Sequence, residues 1–211
     1  ERVPNSVRFL AHGHKLSFGV LGASALSARH GPEWALAAAQ DVVRYEQGGC
    51  YSPHVYFVQR GGRVSPLEWA ERLFHALQNL HARHPRRQPQ TDEAMACARW
   101  RQNLEWSGQA QLMTGAGGDV AYLERATPLS PGPGLRSVQV MAFDTPDEIL
   151  ACVTPARQWL QTAALALTPE EWPDWAHRLG LAGRAMSHQQ HHQINQQHHP
   201  IHLKNRLIMH Q

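Results

Sequence analysis

Apolar residues recur along this chain in two rhythms, short runs and helical spacing, and the rhythms alternate. Leu16-Ser17-Phe18-Gly19-Val20-Leu21, closed by Gly22, reads as a buried strand, and His54-Val55-Tyr56-Phe57-Val58 as another. Between them Pro32 stands where a first helical turn tolerates it. Ala35, Ala38, Ala39, Val42 and Val43 then fall on one face, predicting a helix that runs out at Gly48-Gly49. Three later starts share one device: Ser65-Pro66-Leu67-Glu68, Thr145-Pro146-Asp147-Glu148 and Thr168-Pro169-Glu170-Glu171. In each a hydroxyl can cap an orphan N–H, proline takes the first helical position, and a glutamate reaches back. The first leads a helix burying Leu67, Ala70, Leu73, Phe74, Leu77 and Leu80; another helix is predicted from Thr91 to about Leu112. Further strands are expected at 120–123, 138–143 and 158–163. The alternation predicts an α/β fold with a largely parallel sheet flanked by helices.

The pattern fails towards the carboxyl end. Residues 1–183 read as one domain, whereas 184–211 form an irregular His/Gln-rich tail in which His188, His191, His192, His198, His199, His202 and His210 show no apolar periodicity. Imidazoles so placed can hold zinc or nickel. Without cysteine or carboxylate partners no defined metal site is expected, and disorder is the default for such a segment.

At 211 residues, 42% hydrophobic and 18% charged, the chain is long enough to bury a real core. No apolar run approaches the roughly eighteen residues of a membrane span, so no membrane partner is expected. A net charge of +3 without long basic tracts gives no reason to expect nucleic acid as a partner. The one basic cluster, His81-Ala82-Arg83-His84-Pro85-Arg86-Arg87, can meet the phosphates of a nucleotide or coenzyme A. Its default role is to offset a helix macrodipole. Three cysteines cannot all pair within a monomer, which fits a reducing cytoplasm.

Cysteines in a domain of this kind are usually small buried hydrophobes. Cys97 and Cys152 lie on predicted helices and keep that reading. Cys50 follows two glycines and precedes Ser52-Pro53, on an irregular segment between a helix and a strand. That placement exposes a thiol, and Cys50 is the candidate nucleophile. His54 and His14 lie near enough in sequence to tune it, but a structural histidine is the default for both.

The segment Asp41-Val42-Val43-Arg44-Tyr45-Glu46-Gln47-Gly48-Gly49-Cys50-Tyr51-Ser52-Pro53-His54 resembles the active-site motif of the LuxC-like fatty-acyl-CoA reductases, relatives of the aldehyde dehydrogenases. His12-Gly13-His14-Lys15-Leu16-Ser17-Phe18-Gly19-Val20 occupies the place of the strand lead-in of aldehyde dehydrogenases, and Arg136 to Leu150 is similar to the unit after their cofactor-facing loop. The likeness runs over roughly residues 3–183. It implies an aldehyde-dehydrogenase-like catalytic domain that forms an acyl-Cys50 thioester and reduces it with NADPH to a fatty aldehyde. The Cys50 N–H is then a donor to the oxyanion. Implied partners are long-chain acyl-CoA or an acyl donor protein, and a homo-oligomer or an acyl-protein synthetase.

Departures from the wider superfamily sharpen this. Leu10-Ala11-His12 replaces the glutamate that aldehyde dehydrogenases use to activate water, which favours reduction of an acyl thioester over aldehyde oxidation. No dinucleotide fingerprint appears: Gly115-Ala116-Gly117-Gly118 precedes a predicted strand and reads as a turn, so no cofactor-binding residue is assigned. A nucleotide-binding portion is therefore expected outside this chain, which reads as the catalytic portion of a larger enzyme. Two other classes compete: a catalytically incomplete binding or scaffolding remnant with a metal-binding tail, and a thiol acyltransferase or thioesterase acting through Cys50.

Overall fold

Strands that are apolar on both faces must be covered on both, and that requirement shapes this molecule. The computed structural model describes residues 15–183 and 205–208. Its elements are β1 (Leu16–Leu21), α1 (His30–Val43), β2 (Pro53–Gln59), α2 (Pro66–His81), α3 (Thr91–Ser107), β3 (Ala110–Met113), β4 (Asp119–Leu123), β5 (Ser137–Phe143), α4 (Pro146–Val153), β6 (Leu160–Ala166), α5 (Trp172–Gly183) and β7 (Asn205–Ile208). They form one seven-stranded sheet in the order β3-β4-β5-β2-β1-β6-β7. The inner strands β4, β5, β2, β1 and β6 run parallel, and β3 and β7 close the edges antiparallel.

Alternate residues feed two cores. Phe18, Val20, Val55, Phe57, Met141 and Phe143 face the side covered by Ile149 and Val153 of α4 and Trp175 and Leu179 of α5. Their neighbours Tyr56, Val58, Val140 and Ala142 face Ala35, Ala38 and Val42 of α1 and Trp69, Leu73 and Leu77 of α2. Gly19 has a packing reason: it pairs with Tyr56 across β1 and β2, and a Cβ there would lie 2.3 Å from the tyrosine ring. That ring is fully buried and its hydroxyl donates to Ala38 O at 3.3 Å, joining the sheet to α1.

Two predicted helix starts carry the expected hydroxyl cap residue. At α2 only the hydroxyl half of the box forms: the Glu68 N–H donates to Ser65 Oγ at 3.2 Å, while the Glu68 carboxylate pairs with Arg72 at 2.7 Å instead of reaching back. At α4 the box closes, with the Thr145 N–H on Glu148 Oε1 at 3.0 Å. The third box also closes, with the Thr168 N–H on Glu171 Oε2 at 3.0 Å, but the chain turns once more and α5 begins only at Trp172. Burial alone would raise the Glu171 carboxyl, yet donors from Ser24 and Thr168 outweigh it and hold the group below its ordinary range.

Other boundaries also differ from the sequence reading. The helix expected to reach about Leu112 ends at Ser107, because Gly108 takes a left-handed cap (φ 63°), and residues 110–113 become the edge strand β3. The last parallel strand lies at 160–166 where 158–163 was expected, since a turn of 3-10 helix occupies 154–159. Within the tail read as irregular, residues 205–208 pair with β6, covering what would otherwise be an open edge. The tail histidines named above lie outside the described residues. Among the described residues no helix is long and apolar enough to cross a membrane, and no group of His, Cys, Asp and Glu is placed to hold a metal ion.

The Gly19–Tyr56 contact gives a direct test of this sheet. Gly19→Val forces a branched side chain into the buried ring, and urea denaturation is expected to show a loss of about 1–3 kcal/mol.

Candidate active site

Open α/β sheets commonly bind ligands at the carboxyl ends of their strands. Cys50 lies at the opposite end, just before β2, among the starts of β1, β4 and β5. Helix α1 does not reach Gly48-Gly49 as predicted. It stops at Val43, with Arg44 already extended (ψ 124°). Tyr45, Glu46 and Gln47 then follow with φ of 55°, 52° and 61°, all left-handed. Such backbone costs an L-residue roughly 1–2 kcal/mol, so three in succession need support from elsewhere.

The support comes from 90 residues away in sequence. Arg136 is buried, with 1% of its side chain exposed, and forks onto Glu46: Nε donates to Oε2 at 2.7 Å and Nη2 to Oε1 at 2.5 Å. The Leu135 N–H donates to Glu46 O at 3.1 Å. Gln47 is buried too; its Oε1 accepts from the Ser137 N–H at 2.8 Å and its Nε2 donates to Pro53 O at 3.0 Å. Leu135 and Arg136 are themselves left-handed, with φ of 53° and 61°. Two strained segments are thus locked against each other by directed hydrogen bonds.

The lock delivers a compact turn carrying the thiol. The Gly48 N–H donates to Tyr45 O at 2.7 Å and the Ser52 N–H to Gly49 O at 3.0 Å, while Ser17 Oγ of β1 donates to Cys50 O at 2.5 Å. Cys50 is exposed, flanked by Tyr45 and Tyr51, which are 79% and 46% exposed. Its N–H makes no hydrogen bond among the described residues. Cys97 and Cys152 are both buried, and burial, followed by the nearby Glu148 charge, pushes the Cys152 thiol up.

Not every sequence candidate joins this turn. His54 is the second residue of β2 and borders Gly132 of the proline-rich loop, whereas His14 and the 10–12 lead-in lie outside the described residues. Gly115-Ala116-Gly117-Gly118 is the turn between β3 and β4, as read from the sequence. A Cβ at Gly117 would meet Leu77 O of α2 at 2.4 Å, so the turn packs on a helix flank and offers no strand-to-helix cradle for a dinucleotide. That turn does not fit the dinucleotide.

The basic segment after α2 does approach the turn. Arg136 Nη1 donates to His84 O at 2.9 Å, so one guanidinium holds both Glu46 and the 83–87 loop. Arg87 forks onto Glu93 at the start of α3, and its hydrogen bonds hold that carboxyl at about 2. Sequence reasoning selected Cys50 but gave no role to Glu46, Gln47, Ser17 or Arg136. The only trace of the first two was a polar Glu-Gln pair inside the motif.

A family model described as acyl-CoA reductase (LuxC) matches residues 1–199. The chain belongs to the LuxC acyl-CoA reductase family. Solved structures place this LuxC-family chain on the aldehyde dehydrogenase fold. An aldehyde dehydrogenase from Brucella melitensis biovar abortus 2308 is 16% identical at a TM-score of 0.55, over 79% of this chain and 36% of that one. The aldehyde dehydrogenase KauB from Pseudomonas aeruginosa is 14% identical at 0.55, over 82% and 37%. Aldehyde dehydrogenase C of Pseudomonas syringae, a C291A mutant in complex with NAD+ and octanal, is 16% identical at 0.54, over 79% and 37%. The LuxC-family chain thus spans little more than a third of the length of these structures. Among curated proteins none matches it.

Two outcomes are expected from the site as built. With Ellman's reagent under native conditions one thiol, lost in Cys50→Ala, is expected to react quickly, and the other two only after unfolding. Prompt reaction of three thiols would contradict the burial of Cys97 and Cys152. Glu46→Ala leaves the fully buried Arg136 charge without its counter-ion, and chemical denaturation is expected to show a loss of about 3–5 kcal/mol. Arg136→Met is expected to cost less, because the Glu46 side chain is 18% exposed and can turn to water. The reverse order would contradict the lock.

Proposed function

We propose that this chain is the thiol-bearing portion of a long-chain fatty-acyl-CoA reductase. The observation that carries this reading is the exposed Cys50, presented on a strained turn that buried residues hold in place, while the other two cysteines are inside the core. Strain of this kind gathers at functional sites, since folding alone has no use for it.

The chemistry assigned to the chain is acyl transfer. Cys50 Sγ, as thiolate, attacks the carbonyl carbon of the acyl thioester, and charge moves onto the carbonyl oxygen. The Cys50 N–H, which has no partner among the described residues, donates to that oxygen. The bond from carbonyl carbon to the sulfur of coenzyme A then breaks, coenzyme A leaves as a thiolate that takes up a proton, and the acyl group remains on Cys50. NADPH is the reductant that the family implies for the step to aldehyde. The Gly115–Gly118 turn gives it no cradle, and the steps assigned to the described residues are those that lead to the acyl-enzyme. Leu10-Ala11-His12, standing where aldehyde dehydrogenases carry their water-activating glutamate, favours survival of that thioester.

Intact-mass measurement after incubation with hexadecanoyl-CoA tests the proposal. Wild type is expected to gain one acyl group and Cys50→Ala none. Equal gain in both proteins, or none in either, would remove the assignment. Steady release of free hexadecanoic acid without NADPH, lost in Cys50→Ala, would show a thioesterase instead.

A further inference from the structure

A groove of about 500 Å3 lies between α1 and α2, within the size range of small-ligand sites. Its character is mixed. Ala35, Leu36 and Leu80 give it an apolar floor, Arg72, His75 and Arg83 line it with cationic or protonatable groups, and no carboxylate lines it. Arg72 is shared with Glu68 at 2.7 Å, whereas the Arg83 side chain has no hydrogen bond or ion pair among the described residues. Offsetting the macrodipole of α2 would explain a cation at this position, but that role needs no cavity beside it.

The groove is also wired to the thiol. Arg83 and His84 are fixed by their N–H groups on Leu80 O, at 3.1 Å and 2.8 Å. The His84 carbonyl accepts from Arg136, the residue that forks onto Glu46 of the Cys50 turn. The segment that carries Arg83 and the turn that carries Cys50 are therefore tied to one guanidinium.

We propose that this groove receives the phosphorylated nucleotide end of the coenzyme A thioester, with Arg83 pairing a phosphate and the apolar floor taking the adenine ring. The inference rests on reading the chain as a coenzyme A thioester enzyme. A fatty chain has no use for the arginines, and a bare phosphate has none for the floor; a nucleotide uses both. The flexible pantetheine arm then leads towards Cys50.

Calorimetry of the full chain with adenosine 3′,5′-bisphosphate tests the site without any turnover. Wild type and Cys50→Ala are expected to bind alike, Arg83→Gln about tenfold more weakly and Arg83→Glu more weakly still, with salt lowering the wild-type affinity. Circular dichroism of both Arg83 variants is expected to match wild type. Absence of binding by wild type, or equal affinity in properly folded Arg83→Gln, would overturn the site. A second measurement separates this idea from the function it builds on. Arg83→Glu is expected to slow acylation of Cys50 by hexadecanoyl-CoA about tenfold and leave acylation by hexadecanoyl-pantetheine, which lacks the nucleotide, unchanged; equal slowing of both would overturn the site. If neither donor acylates Cys50 while nucleotide binding still depends on Arg83, the acyl-transfer reading falls and the nucleotide site stands.

Discussion

One interaction holds the candidate site together: the fork of Arg136 on Glu46, which clamps two left-handed segments face to face. Neither segment has reason to adopt that backbone alone. Three residues at positive φ ahead of the glycines carry a cost comparable to a large fraction of a domain's net stability. Buried, charge-assisted hydrogen bonds are among the few interactions directional enough to hold them so. An apolar pair of equal volume would fill the space, yet it would not distinguish a left-handed turn from a right-handed one. That argues for retaining a costly buried charge where most cores would use leucine.

The sheet explains why the clamp can exist. Five parallel strands begin at one end of the layer, so segments distant in sequence must meet there: the Cys50 turn before β2, the loop after α2, the β3–β4 turn and the approach to β5. The covering helices hold this platform through buried contacts such as Tyr56 on Trp69 and Phe143 on Trp175. A loop carried on such a platform can store strain that a free loop would relax.

Most of the fold was legible because its signals are local. The alternation of Phe18 with Gly19, the alanine stripe of α1 and the hydroxyl-proline-glutamate starts of α2 and α4 each act within a few residues. The exposure of Cys50 was legible for the same reason, from a thiol placed after two glycines and before Ser52-Pro53. The misplaced boundaries share a cause. Residues 110–113 have no helix breaker stronger than Gly108, and only pairing with β4 makes them a strand. The end of α1 at Val43 reflects Arg136 drawing Glu46 out of helical register, a contact 90 residues long that no local pattern announces. Residues 205–208 likewise owe their strand to the free edge of β6.

The same distinction separates presenting a thiol from activating it. The clamp fixes the backbone of the Cys50 turn, Ser17 holds its carbonyl from β1, and the Cys50 N–H has no partner among the described residues. None of these contacts touches the sulfur. If the proposed acyl transfer takes place here, with the polar groups committed to backbone geometry and the thiol facing solvent, it falls to the substrate to bury the sulfur and exclude water. A carrier that docks at a distance from Cys50 can supply that burial from remote binding energy. The guanidinium of Arg136, gripping the thiol's turn and the carbonyl of His84 next to Arg83, ties that turn to the segment after α2.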